Sequence, residues 1–124
     1  MILRYLPALF WMGLTFWLSS SPDLQGASGL IDLRPPLDKV AHAGSFGILA
    51  LLFYFAKGRA LISILLASLY GLSDEFHQSF VPGRDVDLFD WVADTLGAAL
   101  AVSTVLLLNR WRLRWTKRWT KKLQ

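Results

Sequence analysis

With 124 residues and 54% hydrophobic composition, the chain has the length of one domain and is too apolar for an ordinary soluble one, so an integral membrane protein is expected. The absence of cysteine excludes a disulfide framework, a thiolate metal site and a Cys nucleophile. A net charge of +4 does not point to nucleic acid, because the basic residues gather directly behind an apolar segment at the C-terminal end, where an anionic membrane surface is the expected partner.

Tyr5 to Ser19 is apolar apart from Thr15, follows Arg4, and leads into Ser20, Ser21 and Pro22. A cleaved signal peptide shares this short basic start and the small residues near 19–21, and a retained first transmembrane helix is the expectation. From Ser20 to Leu37, Pro22, Gly26, Gly29, Pro35 and Pro36 punctuate a loop outside the hydrocarbon. Asp38 opens a second apolar segment that runs to Ala56 and is placed to cap it by accepting a bond from an exposed backbone N–H. Lys57, Gly58 and Arg59 make a tight basic turn into a third segment, which starts at Ala60 and carries its polar residues at its far end. Val81, Pro82 and Gly83 turn the chain again, and Leu88 to Leu108 form the fourth segment, with Gly97, Ala98, Ala99 and Ala101 as a small-residue surface for close helix packing.

The pattern predicts an all-α fold: four transmembrane helices in a compact bundle over residues 1–109, then a short basic amphipathic C-terminal helix over 110–124. In that tail Trp111, Trp115 and Trp119 recur every four residues among Arg112, Arg114, Lys117, Arg118, Lys121 and Lys122, as expected of a helix lying at the interface with cations near anionic lipid. Trp11, Trp17 and Trp91 are read as packing or belt residues. Ten of the thirteen basic residues share the side of the N-terminus, the 57–59 turn and the tail, so both termini are expected to be cytoplasmic. All nine acidic residues fall on the other side or on the helix ends nearest it.

Counted from the cytoplasmic ends, His42, Asp74 and Asp94 each lie fourteen residues along their helices, about 21 Å up at ~1.5 Å per residue. Helical spacing sorts their neighbours into three stripes: Asp38, His42 and Ser45; Asp74, Glu75 and Gln78; Asp87, Asp90 and Asp94. Three polar stripes at one depth predict a shared site facing inward among the helices and open to the outer side.

These residues resemble the VanZ-like family of small integral membrane proteins. The similar positions are Asp38-Lys39 with His42, Glu75 with Gln78, Pro82-Gly83-Arg84, and Asp90, Asp94 and Gly97, with the serines before Pro22 also in keeping. One departure is Asp94, where the family often has Asn. The resemblance implies a protein of the bacterial cytoplasmic membrane; its founding member is associated with resistance to the glycopeptide teicoplanin, which is a phenotype rather than a mechanism.

The leading functional expectation is an outward polar pocket that recognises and modifies a phosphate-bearing or lipid-linked envelope component. His42, Glu75 or Asp94 would move a proton, while Lys39, Arg84, Gln78 and Asp90 would hold the ligand. Individual residues also have plainer readings. Asp38 serves as a cap, His42 as an interhelical hydrogen-bonding group, Glu75 with Arg84 as a buried ion pair, and His77 as a solvated side chain. Arg84 alternatively clamps phosphate with its planar fork. Asp90 and Asp94 are open to sharing a proton, pairing with Arg84 or Lys39, or binding a hard cation, and no metal motif or cofactor is assigned. Ser45 lies near His42, but nothing resembles a nucleophile elbow. The alternative class is a non-catalytic binding or assembly protein whose polar residues hold the helices together.

Overall fold

Apolar runs that sit in hydrocarbon must close their backbone hydrogen bonds internally, and every described element of the chain is helical. The structure, a computed structural model, describes residues 2–21, 36–84 and 86–122. A 3-10 turn, Ile2–Tyr5, leads into α1 (Leu6–Ser19), which carries Pro7 in its first turn, where the missing N–H costs nothing. Then come α2 (Leu37–Lys57), α3 (Ala60–Gln78) and α4 (Leu88–Lys122). Ile2–Ser19, Leu37–Lys57 and Leu88–Trp119 are each long and apolar enough to cross a membrane. α3 is less apolar because its last turns carry Ser73, Asp74, Glu75, His77 and Gln78.

Two details differ from expectation. Asp38 does not cap α2: Pro36 holds the cap position, its carbonyl accepting from Val40 N at 3.2 Å, and Asp38 falls in the first turn. The capping carboxylate belongs to Asp87, whose Oδ1 accepts from Phe89 N at 2.9 Å at the start of α4. The basic tail is helical, but it continues α4 without a break rather than forming a separate helix, since no Gly or Pro follows Gly97 to interrupt the hydrogen-bond ladder. The expected outer loop between Ser20 and Leu37 lies almost wholly outside the described residues, as does Asp85.

α2 is the central helix and packs most extensively against α4. The two backbones approach so closely that a Cβ built on Gly97 would lie 2.0 Å from the Ala43 carbonyl oxygen, and one on Gly47 would lie 3.1 Å from the Gly97 carbonyl oxygen. At Gly97 only a residue without a side chain allows that crossing, while at Gly47 an added carbon would be tight. Phe46, Leu49, Ala50 and Phe53 of α2, Ala67 of α3, Ala98 and Val102 of α4 and Ala8 of α1 make the buried core. α1 is tied in by polar bonds at its middle: Trp11 Nε1 donates to Ser45 O at 3.0 Å, and Tyr70 Oη to Met12 O at 2.6 Å. Trp91 Nε1 donates to Ser68 O at 3.1 Å, and Ser68 and Thr95 share a hydroxyl bond at 2.8 Å, joining α3 to α4. Phe10, Phe55, Leu61, Leu69, Phe76 and Leu100 stand exposed on the outside, an arrangement suited to lipid tails.

Candidate functional site

The first turns of α2 and α4 and the last turns of α3 come together at one end of the bundle. His42 is centred there, four residues along α2 from Asp38, with its ring parallel to that of Phe46. Its Nδ1 lies 3.0 Å from Asp94 Oδ1, and with Asp94 ionised, and so able only to accept, the proton of this bond belongs to Nδ1. Its Nε2 faces Asp90 Oδ2 at 3.9 Å, beyond hydrogen-bond range. Asp94 is only 1% exposed and lodges against α3 where Gly71 leaves room: a Cβ on that glycine would sit 2.9 Å from Asp94 Oδ2.

Glu75 comes in from α3 and is 2% exposed. Its Oε2 accepts from Asp87 N at 3.2 Å, while its Oε1 is buried with no partner. One ligand atom each from His42, Glu75 and Asp90 fall within 4.8 Å of one another. Lys39, one turn before His42, bonds both Asp87 and Asp90 and lies 3.6 Å from Asp38 Oδ2. Its ammonium holds the Asp87 carboxyl below the usual carboxylate range by donating a hydrogen bond to it.

The structure thus brings together His42, Glu75, Asp94 and Asp90 from the three stripes, with Lys39 of α2 beside them. Two residues are placed differently. Gln78 is buried and donates to Asp74 Oδ2 at 3.1 Å on its own helix. Arg84 does not pair with Glu75; its Nη2 donates to Ser19 O at 3.3 Å, because the turn at Gly83, with φ 82°, sends the side chain toward the end of α1. The His77 ring lies against Phe16 with centroids 4.3 Å apart rather than in solvent. Sequence reading missed the capping role of Asp87 and the bonds of Trp11, Tyr70 and Trp91; Asp87 carried a usable signal, an acidic residue immediately before an apolar helical run.

An apolar groove runs beside the cluster along the outer face of α3, lined by Leu69, Leu72, Phe76, Val86 and Leu88, with Glu75 contributing to its wall. Glu75 thus belongs both to the polar cluster and to the lining of this apolar groove.

A family model of the VanZ/LLP1 family matches residues 5–109, taking in all four helices up to the start of the basic tail and every residue of the cluster. The chain belongs to the VanZ/LLP1 family. It is also 41% identical over 85 residues to the uncharacterized protein C11E3.10 of Schizosaccharomyces pombe, a match covering 64% of this chain and 52% of that one. The chain thus spans about half the length of that relative, and the likeness extends to a yeast. No solved structure matches. Family membership together with apolar helices of spanning length makes this a VanZ-like integral membrane protein.

Proposed function

We propose that this VanZ-family protein recognises, and acts on, a phosphate-bearing, lipid-linked envelope component at the cluster where α2, α3 and α4 meet, on the outer side of a membrane with both termini cytoplasmic. The observation that carries the reading is Glu75, which belongs at once to the polar cluster and to the wall of the apolar groove. A lipid tail lying along Leu69, Leu72 and Phe76 brings its head toward His42 and Asp90. His42, oriented by Asp94, is the proton-moving group, with Glu75 as its acidic neighbour. Arg84 and Lys39 supply positive charge for the phosphate, Arg84 with the freer guanidinium, because Lys39 is already engaged by Asp87 and Asp90.

The test is retention of a long-chain lipid phosphate by the purified chain in nanodiscs, compared with the matching alcohol. The phosphate is expected to bind and the alcohol not. His42→Ala, Glu75→Gln and Arg84→Ala should each lose turnover or binding while the protein still accumulates. Equal retention of alcohol and phosphate would remove the reading. The topology is checked with Ser79→Cys and Arg114→Cys: an impermeant thiol reagent should label the first in intact cells and not the second.

A second reading is favoured by the bonds that join helices through polar groups, Lys39 to Asp87 and Asp90 above all. In it the cluster is structural and the protein a non-catalytic binding or assembly partner. Removing His42 from the buried Asp94 carboxylate then costs about 3 to 5 kcal/mol, and abundance falls together with function in all three variants.

A further inference from the structure

We propose that His42, Glu75 and Asp90 bind one divalent metal ion, of the zinc or manganese kind, and that Asp94 is a positioning residue for the histidine ligand. Three independent features converge on it. The first is distance: a nitrogen or oxygen from each of the three residues falls within 4.8 Å of the others, near enough for a single ion to draw all three to bonding distance through small side-chain shifts. The second is the histidine tautomer. With Asp94 ionised, Nδ1–H donates to its Oδ1 at 3.0 Å, so in the neutral ring the lone pair is on Nε2, the nitrogen 3.9 Å from Asp90 Oδ2. A ligating histidine whose other ring nitrogen is held by a carboxylate is a recurrent way of fixing the ring and raising its basicity.

The third is an unmet requirement. Glu75 is 98% buried, since it is 2% exposed, and its Oε1 has no hydrogen-bond partner. A buried carboxylate oxygen without a donor is costly, and the groups gathered beside Glu75, a neutral His42 Nε2 and the Asp90 carboxylate, are acceptors too. Acceptors that converge without a proton between them are satisfied together by a cation. Lys39 does not fill this role, because it bonds Asp90 through Oδ1 and leaves Oδ2 on the histidine side.

One imidazole and two carboxylates, with no sulfur, select a first-row divalent ion of borderline hardness. Three protein ligands also leave a coordination position open, as metal sites that take a substrate oxygen or water do. That this open position receives a phosphate oxygen rests on the function proposed above; the metal site itself does not.

The full chain in nanodiscs, washed with chelator, is titrated with Zn2+ and with Mn2+ by calorimetry, with elemental analysis for stoichiometry and electron paramagnetic resonance for bound Mn2+. One equivalent is expected, together with a rise in Tm on saturation. Glu75→Gln and His42→Ala should lose both effects, and Asp94→Asn should keep the stoichiometry with affinity weaker by roughly 10- to 100-fold, as expected for loss of an orienting partner. Should His42→Ala fail to fold, Asp90→Asn and the unaltered chain carry the test. Absence of stoichiometric Zn2+ or Mn2+ on the unaltered chain overturns the proposal, as does undiminished binding by folded Glu75→Gln. A chain that binds metal but not the lipid phosphate overturns the functional reading and leaves this one standing; the reverse result overturns this one.

Discussion

The two ends of α4 solve the same problem in opposite ways. At its start, Asp87, Asp90 and Asp94 point toward the other helices, and their charges meet Lys39 and His42 inside the protein. At its finish, Trp111, Arg112, Arg114 and Trp115 stand exposed, where water and lipid headgroups would satisfy them. A charge answered inside the protein depends on its partners holding their places to within an ångström. One answered by the surroundings depends on nothing in the fold, so the two ends should respond very differently to substitution.

The largest expected effect is at the packed end. Gly97→Ala drives a methyl group into a backbone carbonyl that cannot rotate away, and a loss of about 3 kcal/mol, the upper part of the overpacking range, should appear in thermal unfolding of the detergent-solubilised protein. Gly13→Ala is the counterpart: nothing lies within 4 Å of its added carbon, and the transition should hold or rise, because alanine favours helix by ~1 kcal/mol. If both variants unfold alike, the close α2–α4 crossing is not what limits the fold.

A smaller effect is expected from Lys39→Met, which leaves Asp87 and Asp90 facing each other without their shared cation. The pairs are partly exposed, so solvent screens them, and Tm should fall by less than in Gly97→Ala. A fall that vanishes in high salt would show that the pairs act as surface charges rather than as part of the buried cluster. The smallest effect is at the far end: replacing Trp111, Trp115 and Trp119 together with Ala should leave the unfolding transition unchanged while weakening retention on anionic vesicles. Loss of the transition would erase the contrast between the two ends.

Much of this was legible in the residues. The apolar segments located the four helices, and the stripes through His42, Glu75 and Asp94 placed these side chains near one another, as the structure does, because helical spacing decides which residues share a face. What spacing cannot do is choose a partner across a turn. Arg84 is nine residues from Glu75 in the chain, and whether it reaches that carboxylate or the end of α1 depends on the left-handed backbone at Gly83 and on where α1 packs, neither of which is a property of either residue. The start of α2 escaped for a related reason. Asp38 has the chemistry of a cap, but Pro36 begins the helix two residues earlier and leaves the carboxylate inside the first turn. The tail is a helix as its composition predicts, but as the end of α4, since a change from apolar to basic residues alters what surrounds a helix without ending it.

That unbroken course has a consequence for depth. Seventeen residues separate Asp94 from Trp111, which at ~1.5 Å each is about 26 Å, close to the roughly 30 Å thickness of a hydrocarbon layer. A rod of that length whose indoles settle among the headgroups on one side has its other end delivered to a set height near the opposite boundary. Anchored in that way, α4 would act as a gauge: the hold of Trp111 and Trp115 on one leaflet would set how far below the other leaflet's surface Asp90 and Asp94 come to rest, and so how much water reaches them.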